Sequence, residues 1–427
     1  MLSSKHFAAL SSVTEEGNVW LQIAELIDGQ STVSLQNAHL VYSQSEILYV
    51  GNEDSPPPKD IVPGKTNPDL ILTEYTVLPG LIEAHAHLFL EGSELDFDKR
   101  KTYLALPQDQ LLSKARERLS NLLHLGITAI RDAGDRNNVG LTLSSEYQKG
   151  NQNDMPYIDS PGAAIHHQGR YGSFMGDPLE AFQNAEACVK SRITDGADRI
   201  KIIATGIINF KKGRVTSKPQ MSAEEVTALV QSSRKHNRQT FAHASGSEGI
   251  ENVIKGKVDS IEHGFFITDE QLLKLRDNNI AWIPTLTPIQ KQIEHAKQLG
   301  WNDQTVDHLK RIIDTHQKTL LKAADHGVTI IAGSDAGSCG VPHGSGLLDE
   351  LELMEDAGLS SIHVVNSATG TSASRLKYRD EIGSLKKGSK ARFILTEHSP
   401  VQTVKNLQKE KIVVFDGALF HSHSHFS

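Results

Sequence analysis

From residue 77 onward, short apolar runs alternate with longer amphipathic stretches. The strand-like runs are "GLIEAHAH", "ITAIRDAG", "PYIDSPGAAI", "RIKIIAT", "TFAHA", "SIEHG", "AWIPTL" and "TIIAGSDAG". Between them lie helix-like segments such as "PQDQLLSKARERLSNLLHLG" and "DPLEAFQNAEACVKSRITDG". Two further helices announce their starts by capping boxes, Ser222 with Glu225 and Thr268 with Gln271. Eight strands, each followed by a helix, predict an α/β protein with a (β/α)8 TIM barrel. An open doubly wound sheet is the competing fold, but no glycine-rich phosphate loop follows the first strand.

The flanks follow another pattern. "NVWLQIAELIDG", "VSLQNAHLVYS" and "SEILYVG" precede the alternation, and "GSLKKGSKARFILTE" and "KIVVFDGALF" follow it. Neither flank is long enough for a core of its own. The expected division is therefore 1–76 and 383–427 as two parts of one small β domain, with the barrel over 77–382. The terminal "HSHSHFS" lies in a polar tail and suggests adventitious metal binding at most.

Composition narrows the class. The chain has 427 residues and a formal net charge of −8, which argues against a generic nucleic-acid or anionic-membrane surface. Its two cysteines, Cys188 and Cys339, provide no disulfide framework. The start of the chain has no apolar core of signal-peptide length, and no stretch approaches the roughly 20 apolar residues of a membrane span. A cytoplasmic protein acting on a small molecule is expected.

Candidate chemistry sits where the apolar runs end. His85 and His87 close the first run, and residues i and i+2 of a strand share a face at roughly 6.6 Å. In "DRIKIIATG" the inward position is Lys201. His243 ends the fifth run, His263 the sixth and Asp335 the eighth. In a barrel these six groups converge on one mouth, and all but the lysine are ordinary zinc ligands. Burying an unpaired ammonium is expensive, so Lys201 also calls for a functional explanation.

The motifs "VLPGLIEAHAH", "IKIIATG", "DSIEHG", "AGSDAG" and "IGSLKKGSKARFIL" resemble those of the amidohydrolase superfamily. The nearest likeness is to its binuclear prolidase-like and imidazolonepropionase-related branch. The resemblance spans residues 20 to 420 and implies a sandwich-like small domain built from both chain ends. It also implies two divalent metal ions, zinc being favoured, with a CO2-derived carboxylate on Lys201 bridging them. His85, His87 and Asp335 would hold one ion and His243 and His263 the other. Homo-oligomers are common in the family, so a dimer or larger is expected.

That ligand set predicts hydrolysis of an amide C–N bond by a hydroxide bridging the ions, with Asp335 as the catalytic proton carrier. A dipeptide or an N-acyl amino acid, of the Xaa-Pro dipeptidase kind, is the expected substrate. Its free carboxylate would meet Arg170, Tyr171 or His343 from the loops after strands 3 and 8. The cations after strand 4, Lys211, Lys212, Arg214 and Lys218, read as a solvated face.

Three positions depart from the relatives' pattern: Ile207 for a second glycine, "HHQGRYG" for Gly-Gly-His, and Arg392 for an acid. Carbamate, urea and ester substrates therefore stay open. Other readings are a mononuclear cyclic-amide hydrolase, a deaminase, or a non-catalytic scaffold. Lys201 argues against the first two, and the retained ligands argue against the third.

Overall fold

The structure, a computed structural model, describes residue 10 and residues 17–150, 155–378 and 381–420. The histidine-rich stretch 421–427 lies outside the described residues, as does most of the chain before residue 17. The fold divides into two compact units.

One unit gathers residues up to 82, the segment 121–129, and residues from 360 onward. Strands β1 (Val19–Leu26), β2 (Leu35–Tyr42), β3 (Ile47–Gly51) and β4 (Leu70–Pro79) come from the N-terminal flank. The C-terminal flank adds a β-hairpin and a further strand, introduced below in chain order. The long β4 pairs parallel with β1 and antiparallel with the first C-terminal strand, Phe393–Thr396, and so joins the two flanks. Where a sandwich-like module was expected, hydrogen bonding connects seven strands from both flanks into one sheet. Its core packs Leu21, Ile23, Leu40 and Leu395 around Tyr42 and Phe393, whose rings meet edge to face at 5.1 Å. Arg392 is held by Asp416 at 2.6 Å and lies over the Phe415 ring.

The run "VLPGLIEAH" is two strands. Val77 and Leu78 belong to β4, and a new strand, β5 (Leu81–Ala86), begins after Pro79-Gly80. Glycine is required at the break, because a Cβ at Gly80 would lie 2.2 Å from Thr128 Oγ1. Both strands are buried, so apolar content alone conceals the boundary.

The second unit covers residues 83–120 and 130–359. Strand β5 heads a three-stranded sheet with β6 (Ile127–Asp132) and β7 (Tyr157–Asp159). A second, all-parallel sheet runs in order through β8 (Ile200–Ile203), β9 (Thr240–Ala244), β10 (Ser260–His263) and β11 (Ala281–Ile283). Isolated parallel pairings extend these sheets: Ile165 with Ile202, Trp282 with Ile330, and Ala86 with Ala336.

The eighth expected run thus forms no continuous strand, yet it is fixed to β5 by three backbone hydrogen bonds. Ala84 donates to Ala332 at 3.2 Å, Asp335 to His85 at 2.7 Å and His87 to Ala336 at 2.7 Å. The third run is a strand only over Tyr157–Asp159. Both capping boxes form, opening helices Ala223–Lys235 and Asp269–Asp277. The helix expected from Asp177 starts later, at Ala185, where the Asn184 side chain caps it. The C-terminal strands of the first unit are β12 (Phe393–Thr396), β13 (Lys411–Phe415) and β14 (Ala418–Leu419). Among the described residues no helix is long and apolar enough to cross a membrane.

Candidate metal centre

His85 sits near the end of β5 and His87 just beyond it, so the alternation of the strand turns both rings to one side. Their centroids lie 5.6 Å apart. Asp335 faces them from the segment beside β5, with Oδ1 3.5 Å from Nε2 of each histidine. The ligand atoms of His85, His87 and Asp335 all lie within 4.8 Å of one another, the one such group of three or more among the described residues. Asp335 has φ of 56°, the left-handed region that costs an ordinary side chain energy. Ser338 fastens its carboxylate by donating to Oδ2 at 2.8 Å, which leaves Oδ1 toward the imidazoles.

Each histidine is set by a bond at its other nitrogen. His85 Nδ1 bonds Glu262, and His87 Nδ1 donates to the Gly134 carbonyl at 3.2 Å. Both therefore present Nε2, and His85 Nε2 is buried without a hydrogen-bond partner. A buried nitrogen without a hydrogen-bond partner beside a carboxylate fits a divalent cation.

His263, also at positive φ (67°), bonds Thr285 Oγ1 through Nδ1 at 2.8 Å and stacks edge to face on His85 at 5.1 Å. The His243 ring lies 4.6 Å from that of His263, with its Nε2 on the Gly206 carbonyl at 3.3 Å. Burial, reinforced by the nearby Lys201 charge, pulls His87 and His243 down to about 3. Burial likewise takes His85 and His263 well below the ordinary histidine value. All four are neutral imidazoles at pH 7, the form that binds metals.

Lys201 is 1% exposed, with Nζ 4.6 Å from the centroid of the Phe241 ring. Burial lowers its pKa to about 8, against the pull of Glu262. Asp335 moves the other way: burial raises it to about 7, opposed by Ser338 and by Lys201. The two expected metal sites differ in one respect. His85, His87 and Asp335 form a three-ligand group unaided, whereas His243 and His263 need a further donor.

The sequence-based reading missed the layer behind these ligands. Glu262 is fully buried and accepts from Arg131 Nη2 at 2.7 Å as well as bonding His85. Arg131 in turn donates to Ala84 O at 2.6 Å and Ser260 Oγ at 3.1 Å. Glu83 accepts from the backbone of His85 and of Ser334, both at 3.0 Å, and from Ser334 Oγ at 2.5 Å. It thereby ties β5 to the Asp335 segment. The signal was present: Glu83, Arg131 and Glu262 are charged residues inside apolar runs, the property that singled out Lys201.

A cavity of about 490 Å³ opens over the cluster and is lined by His85, His87, Lys201, His243, His263 and Asp335 at its polar end. Tyr171 also lines it, with its ring 5.3 Å from that of His243 and its hydroxyl pKa raised by burial. The two other expected substrate contacts are placed elsewhere. Arg170 is exposed and donates to the Lys218 carbonyl at 2.7 Å, outside the lining. His343 is spent on the His87 carbonyl at 3.0 Å, so it supports a cluster residue from behind. His166 and His167 are likewise committed, to the Gly176 carbonyl and to Glu180. Of the strand-4 cations Lys211 reaches the lining, whereas Lys212, Arg214 and Lys218 do not.

Comparison with known proteins bears on this geometry. The model of the amidohydrolase family matches residues 76–419. Ochratoxinase of Aspergillus niger is 24% identical over 432 aligned positions, covering 94% of this chain and 85% of that protein. Among solved structures, a Xaa-Pro dipeptidase with bound methionine in the active site superposes with a TM-score of 0.81 at 24% identity. That match covers 95% of this chain and 100% of the other. The A. niger ochratoxinase structure gives 0.80 at 22% identity, covering 95% and 96%.

Proposed function

The chain belongs to the amidohydrolase family and is an enzyme acting on C–N bonds, and on that premise we propose that it hydrolyses the amide of an N-acyl amino acid or dipeptide at a binuclear zinc centre. The α/β unit is read as a (β/α)8 barrel. The parallel pairings at Ile202, Ile330 and Ala336, which link the edges of its two sheets, support that. The domain scheme is a barrel over 77–382 flanked by a small β domain from 1–76 and 383–427.

The convergence of His85, His87 and Asp335 within 4.8 Å carries the functional reading. His85, His87 and Asp335 would hold one ion and His243 and His263 the second. Lys201, carboxylated by CO2, would offer one oxygen to each. The orphaned His85 Nε2 and four neutral imidazoles fit such ions. Divalent ions there would supply a water of lowered pKa and polarise a carbonyl.

The remaining chemistry belongs to the chain. With a pKa near 8, Lys201 is partly neutral at pH 7, and the neutral amine is the form that attacks CO2. The new N–C bond would form as a C–O π bond of CO2 opens and the nitrogen's proton passes to water, so that a carboxylate takes the place of the ammonium. Asp335 Oδ1, free of the Ser338 bond, takes a proton from the attacking water and delivers it to the leaving nitrogen. Tyr171 borders the space where the scissile group would lie.

Release of free amino acid from a panel of N-acyl amino acids and dipeptides tests the reading, using protein purified with zinc and bicarbonate. Loss of a ligand in His85→Ala or His263→Ala should reduce turnover by about a hundredfold or more while the protein stays folded. Full activity in either variant would defeat the assignment.

A further inference from the structure

We propose that Lys211 anchors the carboxylate of the substrate and that the substrate's opposite end is uncharged and apolar. The inference deepens the amide-hydrolase reading and rests on it. Apart from the histidines, three charged side chains line the cavity among the described residues: Lys201, Asp335 and Lys211. The first two belong to the histidine cluster. Lys211 alone stands away from that cluster in the strand-4 loop, and among the described residues it forms no ion pair.

The element that carries it is fixed. Asn209 and Arg214 pair antiparallel to close a short hairpin, and Lys212 N donates to Asn209 Oδ1 at 3.0 Å. Phe210 packs edge to face on Trp301 at 6.2 Å, and its carbonyl meets His308 Nδ1 at 3.3 Å. On the far side Gly213, at φ +62°, approaches helix Asp303–Asp325 closely. A Cβ there would lie 2.5 Å from Arg311 Nη2 and 2.9 Å from the His308 ring. Hence Lys211, an exposed residue, is carried on a clamped hairpin.

The rest of the wall is mostly apolar, with Leu90, Phe97, Phe174, Ile207, Phe210 and Trp301 prominent, and its other polar side chains, such as Asn209, Ser245 and Gln292, are uncharged. Phe97 and Ile207 leave 60% and 54% of their surface in water, an arrangement that suits contact with an apolar group. The free α-ammonium of a dipeptide would meet no carboxylate on this wall other than Asp335. Asp335 is already engaged by Ser338 and faces the two imidazoles. Desolvating an unpaired ammonium is unfavourable, so a blocked, apolar acyl group fits and a free amine does not. Ile207 contributes to this apolar wall.

Uncleavable sulfonamides test recognition without turnover. N-butanesulfonyl-phenylalanine, its carboxamide, and its 3-aminopropanesulfonyl isostere would be titrated into the metal-replete protein by calorimetry. The acid should bind about fivefold tighter than the carboxamide, the scale of one exposed ion pair. It should bind at least about tenfold tighter than the ammonium isostere, which brings an unpaired charge. Lys211→Met should equalise acid and carboxamide without relieving the ammonium penalty, and Lys211→Arg should keep the preference for the acid. Equal binding of acid and carboxamide by the unmodified protein would overturn the proposal. So would a preference surviving in Lys211→Met, a well-bound ammonium isostere, or no binding by any of the three. If the pattern held but the corresponding carboxamide-linked N-butanoyl-phenylalanine were never cleaved, the anchor would stand and the hydrolase reading would fall.

Discussion

Glu262 Oε2 receives both His85 Nδ1 and Arg131 Nη2 in a fully buried position. It never lines the cavity, yet it decides which nitrogen His85 turns toward Asp335. Carboxylates behind metal-binding histidines typically alter affinity or activity by about 10–100-fold. Glu262→Gln would put an amide donor opposite Arg131 and leave a guanidinium without its counter-charge. We expect zinc affinity to fall by about that factor and unfolding stability to drop by about 3 kcal/mol, since breaking a buried ion pair strands a charge. Metal titration and urea unfolding of the same variant check both. Unchanged zinc affinity would show that the histidine orientation does not depend on Glu262.

His316, which also hydrogen-bonds the His263 backbone, gives a second residue-scale test. It is buried against Phe265 at 4.1 Å and donates Nε2 to the Pro284 carbonyl at 3.0 Å. Burial lowers its pKa to about 4, below the 6.5 of an exposed histidine. The unfolded chain therefore binds a proton between those values while the folded chain does not. The contribution to stability is complete above pH 6.5 and is lost as pH falls toward 4. Linkage gives about 2 kcal/mol lost between pH 8 and pH 5. Subtracting the urea-unfolding profile of His316→Gln from that of the unmodified protein should isolate this slope. A flat difference would contradict it.

At the scale of elements, local rules read well wherever they were local. The Ser222 and Thr268 boxes form as the spacing of hydroxyl and acidic or amide residues predicts. Ser222→Ala should cost about 1 kcal/mol in urea unfolding and leave turnover unchanged. Loss of turnover would mean that helix Ala223–Lys235 does more than support. Elements that depend on distant partners were less legible. The run through Val77 to His87 looks like one strand because both halves are buried, and the break at Gly80 is enforced by Thr128, 48 positions away. The segment through Asp335 has strand-like composition but obtains its place from three backbone bonds to β5 rather than from a continuous ladder.

For the molecule as a whole, His85, His87, Lys201, His243, His263 and Asp335 were legible as one cluster because each interrupts or ends an apolar run, and the structure brings all six to one cavity. The contacts beyond them were not. Arg170 and His343 have the right chemistry, but one is drawn to the Lys218 carbonyl and the other to the His87 carbonyl. Side-chain direction in a loop depends on which backbone acceptors lie nearby, and sequence spacing does not specify those. Lys211 is exposed, as its cationic run suggested, but its place in the lining was not legible. Its position in the lining follows from the hairpin packed on Trp301 and His308.

The most direct test of the proposed binuclear centre is metal content per chain, by elemental analysis of protein purified without chelators in bicarbonate buffer. The ligand arrangement predicts two ions per chain, falling to one or fewer in Lys201→Ala. One ion or none in the unmodified protein, even after zinc is supplied, would contradict a centre bridged through Lys201.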